Sequence, residues 1–253
     1  MSPSVRRLGA LGEEDVSDLH LDLLDPPGHE GRPHVALNLV LTADGRTTFR
    51  GRSEIGTRTD RALLFHLRAL ADLVLVGAGT VRVDPFIPAV KEERDLARRA
   101  AAGKRAQPIA AVVSGTAVLP AGNRFLSLGT ERLVVTTERA PEPAVAALRS
   151  AGVDVLRIGG AEVDLAAFLG AMAERNVRLV LCEGGPMLAG ALLARGLIDE
   201  VFLTHATLIS AEPGARSPFE TDRPLERSVR LARVSLHESD TGERYERSRI
   251  SYS

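Results

Sequence analysis

The residues with the clearest chemical purpose are Glu183-Gly184-Gly185-Pro186, set between the apolar run LVLC and the helix-forming MLAGALLARG. Two adjacent glycines let the backbone approach a ligand with no Cβ in the way, and Pro186 suits a first helical turn. The free N–H groups of that turn, with the helix dipole, favour an anion such as a phosphate or pyrophosphate. A plain strand–turn–helix connection would use the same residues. Glu183 favours the ligand reading, because ligands of open α/β sheets gather where the strands end. A second turn, Gly77-Ala78-Gly79-Thr80, follows the run LVLV. Arg82 stands where a dinucleotide fingerprint would carry its third glycine, so this is either a tight turn or a different kind of ligand loop. A third stretch runs from Asn38 through Thr42 into Asp44-Gly45, a common turn pair. Asp44 is either a turn former or, with Asn38 and Thr42, a ligand neighbour at a strand's end.

Other chemistries are excluded by composition. Cys182 is the only cysteine in 253 residues, which rules out an intrachain disulfide framework and a cysteine-based zinc cluster. It reads as a small apolar residue of a pocket wall. The six histidines show no metal spacing, and His66 and His205 read as structural. Lys91 and Lys104 are the only lysines among 32 basic residues, so a Schiff-base mechanism has few candidates. With 33 acidic residues the net charge is −1, which provides no general pull toward nucleic acid or an acidic membrane. The N-terminus lacks signal-peptide features and no stretch is apolar for long enough to span a bilayer; a cytoplasmic protein is expected.

The elements that must position these motifs alternate. Strands are expected at His34–Leu41, Leu73–Val76, Ile109–Val113, Leu133–Thr137, Val153–Ile158 and Leu179–Cys182, mostly as continuous apolar runs of the doubly covered kind. Helices fall between them. One carries Leu63, Leu64, Leu67 and Leu70, and another carries Leu165, Phe168, Leu169 and Met172. Lys91–Gly103 is helical by propensity and so charged that it is expected to lie exposed. After Gly196, Val201–Ala206, Val229–Leu236 and Arg244–Ile250 read as strands, the last two joined by a turn at Asp240–Glu243. The order describes an α/β domain over residues 32–253: a mostly parallel central sheet, helices on both faces and an antiparallel C-terminal hairpin. Residues 1–31, ending in the turn-rich DPPGHEGRP, read as a tail or adapter.

Taken in order, ALNLVLTADGRTT, HLRALADLVLVGAGTVRVDP and LVLCEGGPMLAGALLARGLIDEVFLTHA resemble the C-terminal reductase domain of the riboflavin-biosynthesis deaminase/reductase family, over roughly residues 32–252. That domain has a dihydrofolate-reductase-like, three-layer fold. The deaminase half, with its zinc-binding signature, is absent from this sequence. The resemblance implies NADPH-dependent reduction of a phosphoribosylamino-pyrimidine, its ribosyl group becoming a ribityl chain. It also implies positions. Thr80 and Asp84, with Gly79 and Thr42, match the nicotinamide-nucleotide contacts. Gly184, Gly185, Pro186, Met187 and Leu188 match the pyrophosphate loop and helix start, and Ser114 a further cofactor contact. Asn38, Ser53, Arg68 and Glu183 match the substrate side. The stretch Arg82–Val90 departs from the family pattern: one acid and a substrate arginine are missing, which leaves Arg52, Arg58 or Arg82 to hold a phosphate.

Hydride delivery asks the protein to hold two carbons at ~3–3.5 Å and to supply a proton from a carboxylic acid or water. Asp44 and Glu183 are the carboxylates in motif positions and are taken as the catalytic candidates, Asp44 near the reacting end and Glu183 on substrate polar groups. Two alternatives stand beside this reading: a relative that reduces another imine, ketone or pterin-like compound, and a nucleotide-binding module without turnover. Arg139, near the end of the Leu133–Thr137 strand, or Arg124 would read the 2′-phosphate that separates NADPH from NADH. A homodimer is expected from the resemblance and from the apolar run LIDEVFLTHATLI, which would expose Phe202 or Ile209 in a lone chain.

Overall fold

Apolar β-branched runs bounded by glycine and aspartate dictate most of the architecture. The computed structural model describes residues 3–8, 12–49, 55–83, 86–222 and 224–253. Its strands are β1 (Ser4–Arg7), β2 (Glu13–Asp15), β3 (His34–Leu41), β4 (Leu73–Gly77), β5 (Ile109–Val113), β6 (Arg132–Thr136), β7 (Asp154–Arg157), β8 (Leu179–Cys182), β9 (Glu200–His205), β10 (Val229–Glu238) and β11 (Arg244–Tyr252). Its helices are α1 (Arg58–Leu70), α2 (Ala78–Val83), α3 (Glu93–Ala101), α4 (Glu142–Ser150), α5 (Leu165–Glu174) and α6 (Pro186–Ala194). The chain forms two compact units, the first drawn from residues 1–21, 35–67 and 186–253, the second from 22–34 and 68–185.

The second unit is wholly parallel in its strand pairing, in the order β8-β4-β5-β6-β7. Its strands are continuous apolar runs because both faces are covered, and Val74, Leu75, Ala110, Ala111, Leu133 and Val134 are fully buried. The α5 stripe expected from spacing is the buried one, with Leu165, Phe168, Leu169 and Met172 inside and Asp164 capping the helix through the Ala167 amide at 3.0 Å.

The first unit orders its strands β2-β1-β10-β11-β9-β3. β3 and β9 are parallel and in register from Ala36↔Glu200 to Leu41↔His205, whereas β11 joins β9 and β10 antiparallel. The α/β class, the parallel strands and the antiparallel ending are therefore as expected.

Two local expectations differ. Residues 4–7 and 13–15, inside the stretch read as a tail, are strands; β1 lies along β10 and buries Val5. SVRR is too short and charged to announce a strand, and the partner β10 supplies the stability the run lacks. Helix α3 is not uniformly exposed either. Arg99 is fully buried, and its guanidinium donates to the carbonyls of Ala69 (2.8 Å), Ala71 (2.6 Å) and Arg105 (2.8 Å). A planar five-donor cation can thus be buried by capping the orphan carbonyls at the end of α1.

Candidate functional site

In the second unit, two glycine-bearing turns are drawn together by strand pairing. β4 pairs with β8, and just beyond the ladder the Gly77 amide donates to the Gly184 carbonyl at 3.0 Å. Gly184 (φ 81°) and Gly185 (φ 27°) both occupy the left-handed region that favours glycine. A Cβ placed on Gly185 would lie 3.3 Å from the Thr80 hydroxyl, so this turn and the Gly79-Thr80 turn at the start of α2 are in contact. Gly79 has open space where its side chain would be. One strand over, Ser114 follows β5; it is 3% exposed, and its hydroxyl has no hydrogen-bond partner among the described residues. An orphaned buried hydroxyl one residue past the Gly77↔Val113 pair fits a polar ligand group that would satisfy it.

Glu183 closes the same unit's set. Both its oxygens accept from Arg68, at 2.5 Å from Nε and 2.7 Å from the terminal nitrogen, and Arg68 also donates to the Ile87 carbonyl. Each side chain is 10% exposed. Two of the expected substrate-side residues therefore grip one another through a bidentate fork. Cys182 is fully buried, and desolvation pushes its thiol up to about 12, consistent with a pocket-wall residue and not a nucleophile.

The first unit carries the remaining motif. Asn38 is half-buried within β3, and Thr42 follows the strand's end. The Thr42 hydroxyl donates to Asp44 at 2.7 Å, and the amides of Ser210 (2.9 Å) and Ala211 (3.0 Å) donate to both Asp44 oxygens. These donors hold the Asp44 carboxyl down at about 2. Asp44 forms its turn and pins a distant loop at the same time. Asp44 is thus not a store of protons.

Pro186 opens α6, Met187 is 64% exposed and Leu188 is buried. Gly190 fits closely against the Glu220 backbone, which also bonds the Pro186 carbonyl. Arg124 and Arg139 are exposed, and Arg82 donates to the Val118 carbonyl. Phe202 is buried, whereas Ile209 is 65% exposed in the loop after β9. Arg52, Ser53 and Asp84 lie outside the described residues. His66 is buried on the Leu19 carbonyl, the structural role expected of it.

One polar cluster was not among the sequence candidates. At the N-terminus of α1, the Thr57 amide and hydroxyl donate to Glu243, as does the Tyr245 hydroxyl at 2.7 Å. Glu243 is 1% exposed. The same helical turn carries Asp60, bonded to Thr204 of β9. In the sequence TRTD reads as an ordinary helix start and DTGE as an ordinary turn, so no local signal joins them.

Parallel strands ending in glycine turns, with an antiparallel ending, define an α/β protein with a dihydrofolate-reductase-like fold. The family model for the RibD C-terminal domain matches residues 33–242, and the chain belongs to that family. A 2,5-diamino-6-ribosylamino-4(3H)-pyrimidinone 5′-phosphate reductase of Archaeoglobus fulgidus is 30% identical over 179 residues, 70% of this chain and 81% of that one. Its namesake in Methanothermobacter thermautotrophicus is 32% identical, across 74% of this chain and 83% of the other. Riboflavin biosynthesis protein RibD of Mycobacterium tuberculosis is 32% identical over 72% of this chain but only 44% of its own length. Among solved structures, a pyrimidine reductase-like protein from Corynebacterium diphtheriae superposes with a TM-score of 0.81 at 23% identity, covering 93% and 96% of the two chains. That likeness shows the fold. Acinetobacter baumannii RibD gives a TM-score of 0.73 at 25% identity, over 88% of this chain and 59% of that one.

Proposed function

We propose that this protein is an NADPH-dependent reductase of a phosphoribosylamino-pyrimidine, turning its ribosyl group into a ribityl chain. The observation that carries the reading is the contact between the Gly184-Gly185 and Gly79-Thr80 turns, with the Ser114 hydroxyl orphaned nearby in sequence register. These groups fit a nicotinamide nucleotide: bare backbone for the phosphates and an unspent donor for a sugar or phosphate oxygen. When bound, the cofactor supplies a hydride to the acceptor carbon of the substrate.

The chain's own residues bind and orient. Gly184, Gly185, Met187 and Leu188 offer backbone donors to the pyrophosphate and Pro186 sets the first helical turn beside it, while Gly79, Thr80, Asp84, Thr42 and Ser114 complete the cofactor contacts. Arg68, fixed by Glu183, presents its charge to the substrate phosphate or carbonyl edge, with Asn38 and Ser53 adding polar contacts. Asp44 and Glu183 serve catalysis as fixed hydrogen-bond acceptors that orient their neighbours. A cation such as Arg139 or Arg124 reads the 2′-phosphate and sets NADPH above NADH. The reductase domain is assigned to residues 32–253 with residues 1–31 as its adapter, in a cytoplasmic homodimer.

The altered Arg82–Val90 stretch favours one second reading, a relative acting on a different imine or ketone. The test is steady-state oxidation of NADPH and NADH with a panel of ribosylamino-pyrimidine phosphates, pterins and simple imines. Turnover confined to the pyrimidines and to NADPH is expected. Binding of NADPH without turnover of any substrate would overturn the assignment.

A further inference from the structure

The reduction needs a proton, and both motif carboxyls are already engaged as acceptors: Asp44 accepts from three donors, and both Glu183 oxygens accept from Arg68. A third carboxyl is differently placed. Asp60 sits in the first turn of α1, half-buried, bonded to Thr204. Thr204 is the penultimate residue of β9 and lies opposite Val40, one residue before β3 ends. Asp60 therefore stands at the carboxyl ends of the parallel pair β3/β9, where ligands of such sheets bind. The carboxyl is also tightly located: a Cβ on Gly56 would fall 2.1 Å from its oxygen.

What surrounds Asp60 favours keeping a proton on it. From the turn before β11, Glu243 presents a buried carboxylate that takes hydrogen bonds from Thr57 and Tyr245. From α1 itself Arg61 acts in the opposite sense, and Thr204 of β9, which hydrogen-bonds the carboxyl, carries no charge. Desolvation and the Glu243 charge together outweigh the Thr204 bond and Arg61, and raise the Asp60 carboxyl to about 6.

We propose that Asp60 is the proton-holding carboxyl of the reduction and that Glu243, fixed by Thr57 and Tyr245, is its positioning partner. This rests on the reductase reading above. As hydride from a dihydronicotinamide forms the new C–H bond, the π pair of the substrate C=N or C=O bond moves onto nitrogen or oxygen. That atom takes the Asp60 proton; Asp60 is left as a carboxylate and is recharged from solvent.

The test has two readouts. Infrared difference spectra of the cofactor-free protein, wild type minus Asp60→Asn, are expected to show a carboxylic-acid band that titrates near the value of about 6. Asp60→Asn is expected to lose roughly 100-fold or more in kcat, with NADPH affinity and KM within about threefold. Glu243→Gln removes a neighbouring negative charge, so the band and the alkaline limb of the kcat profile both move to lower pH. Gly56→Ala, which displaces the carboxyl, lowers kcat in the same way. A titrating band absent from the difference spectrum, or near-normal kcat with an unshifted pH profile in Asp60→Asn, overturns the proposal. A wild-type protein that oxidises no dihydronicotinamide overturns the reductase reading instead, and the infrared band still decides where the proton resides.

Discussion

Asp44 illustrates how a residue can be read correctly in place and differently in chemistry. Its three donors lower its carboxyl and lock the turn after β3 to residues 210–211. A depressed carboxyl stabilises the fold at pH values above its ordinary 3.8, and this contribution is lost as pH falls through about 2. Asp44→Asn retains the size but weakens all three bonds. Its melting temperature is therefore expected to lie below that of wild type from neutrality down to mild acid, the gap closing as pH approaches 2. A gap that is constant across that range would mean that the Asp44 charge contributes nothing. Glu183 is held in a buried setting by Arg68. Its partner Arg68 is raised by the Glu183 charge against a large desolvation cost, so removing one of the two strands the other.

At the scale of elements, much was legible before any coordinates. β5 and β8 begin and end where the apolar runs do, because strands covered on both faces leave no polar alternation to blur them. The turn at Gly184-Gly185 was legible for a physical reason as well, since two left-handed residues in succession require glycine. Pairings set by distant chain were not legible: β1 on β10, the burial of Arg99, and the meeting of Thr57 and Asp60 with residues 204, 243 and 245. Each depends on partners more than 25 residues away, which local patterns do not encode. The glycine turn also yields a prediction. In Gly185→Ala the new methyl meets the Thr80 hydroxyl at 3.3 Å and the backbone at φ 27° is strained. If the turn carries the pyrophosphate, NADPH binding weakens by about 1–3 kcal/mol, the worth of one or two charge-assisted hydrogen bonds, and the dissociation constant rises accordingly. If it is only a turn, melting temperature falls while affinity in the folded fraction is unchanged. Calorimetry and fluorescence titration on the same preparation separate the two.

At the scale of the whole molecule, the first unit leaves a strand edge open. β1 reaches β10 only at His237 and Glu238, with one further bond from the Leu8 amide to Leu236. Among the described residues, no strand covers Val229–Ser235 on the side away from β11. The same segment carries an apolar face: Leu231, 49% exposed, lies opposite Ile250, and Val229 opposite Tyr252. A long open edge with exposed aliphatic side chains invites pairing with another chain. The proposed homodimer therefore belongs here and not at Phe202, which is buried within its own unit. A second copy related by a two-fold axis would bring the same edge and face to both partners. The irregular register between Arg233 and Ser235, together with Arg230 and Arg233, works against indiscriminate extension, as bulges and charges do on protected edges. Light scattering at micromolar concentration is expected to give twice the chain mass. Leu231→Asp places a charge at the centre of the buried patch and is expected to return the mass of one chain with the melting transition still cooperative. A single-chain mass for the wild type, or a dimer that survives Leu231→Asp unchanged, would move the interface off this hairpin.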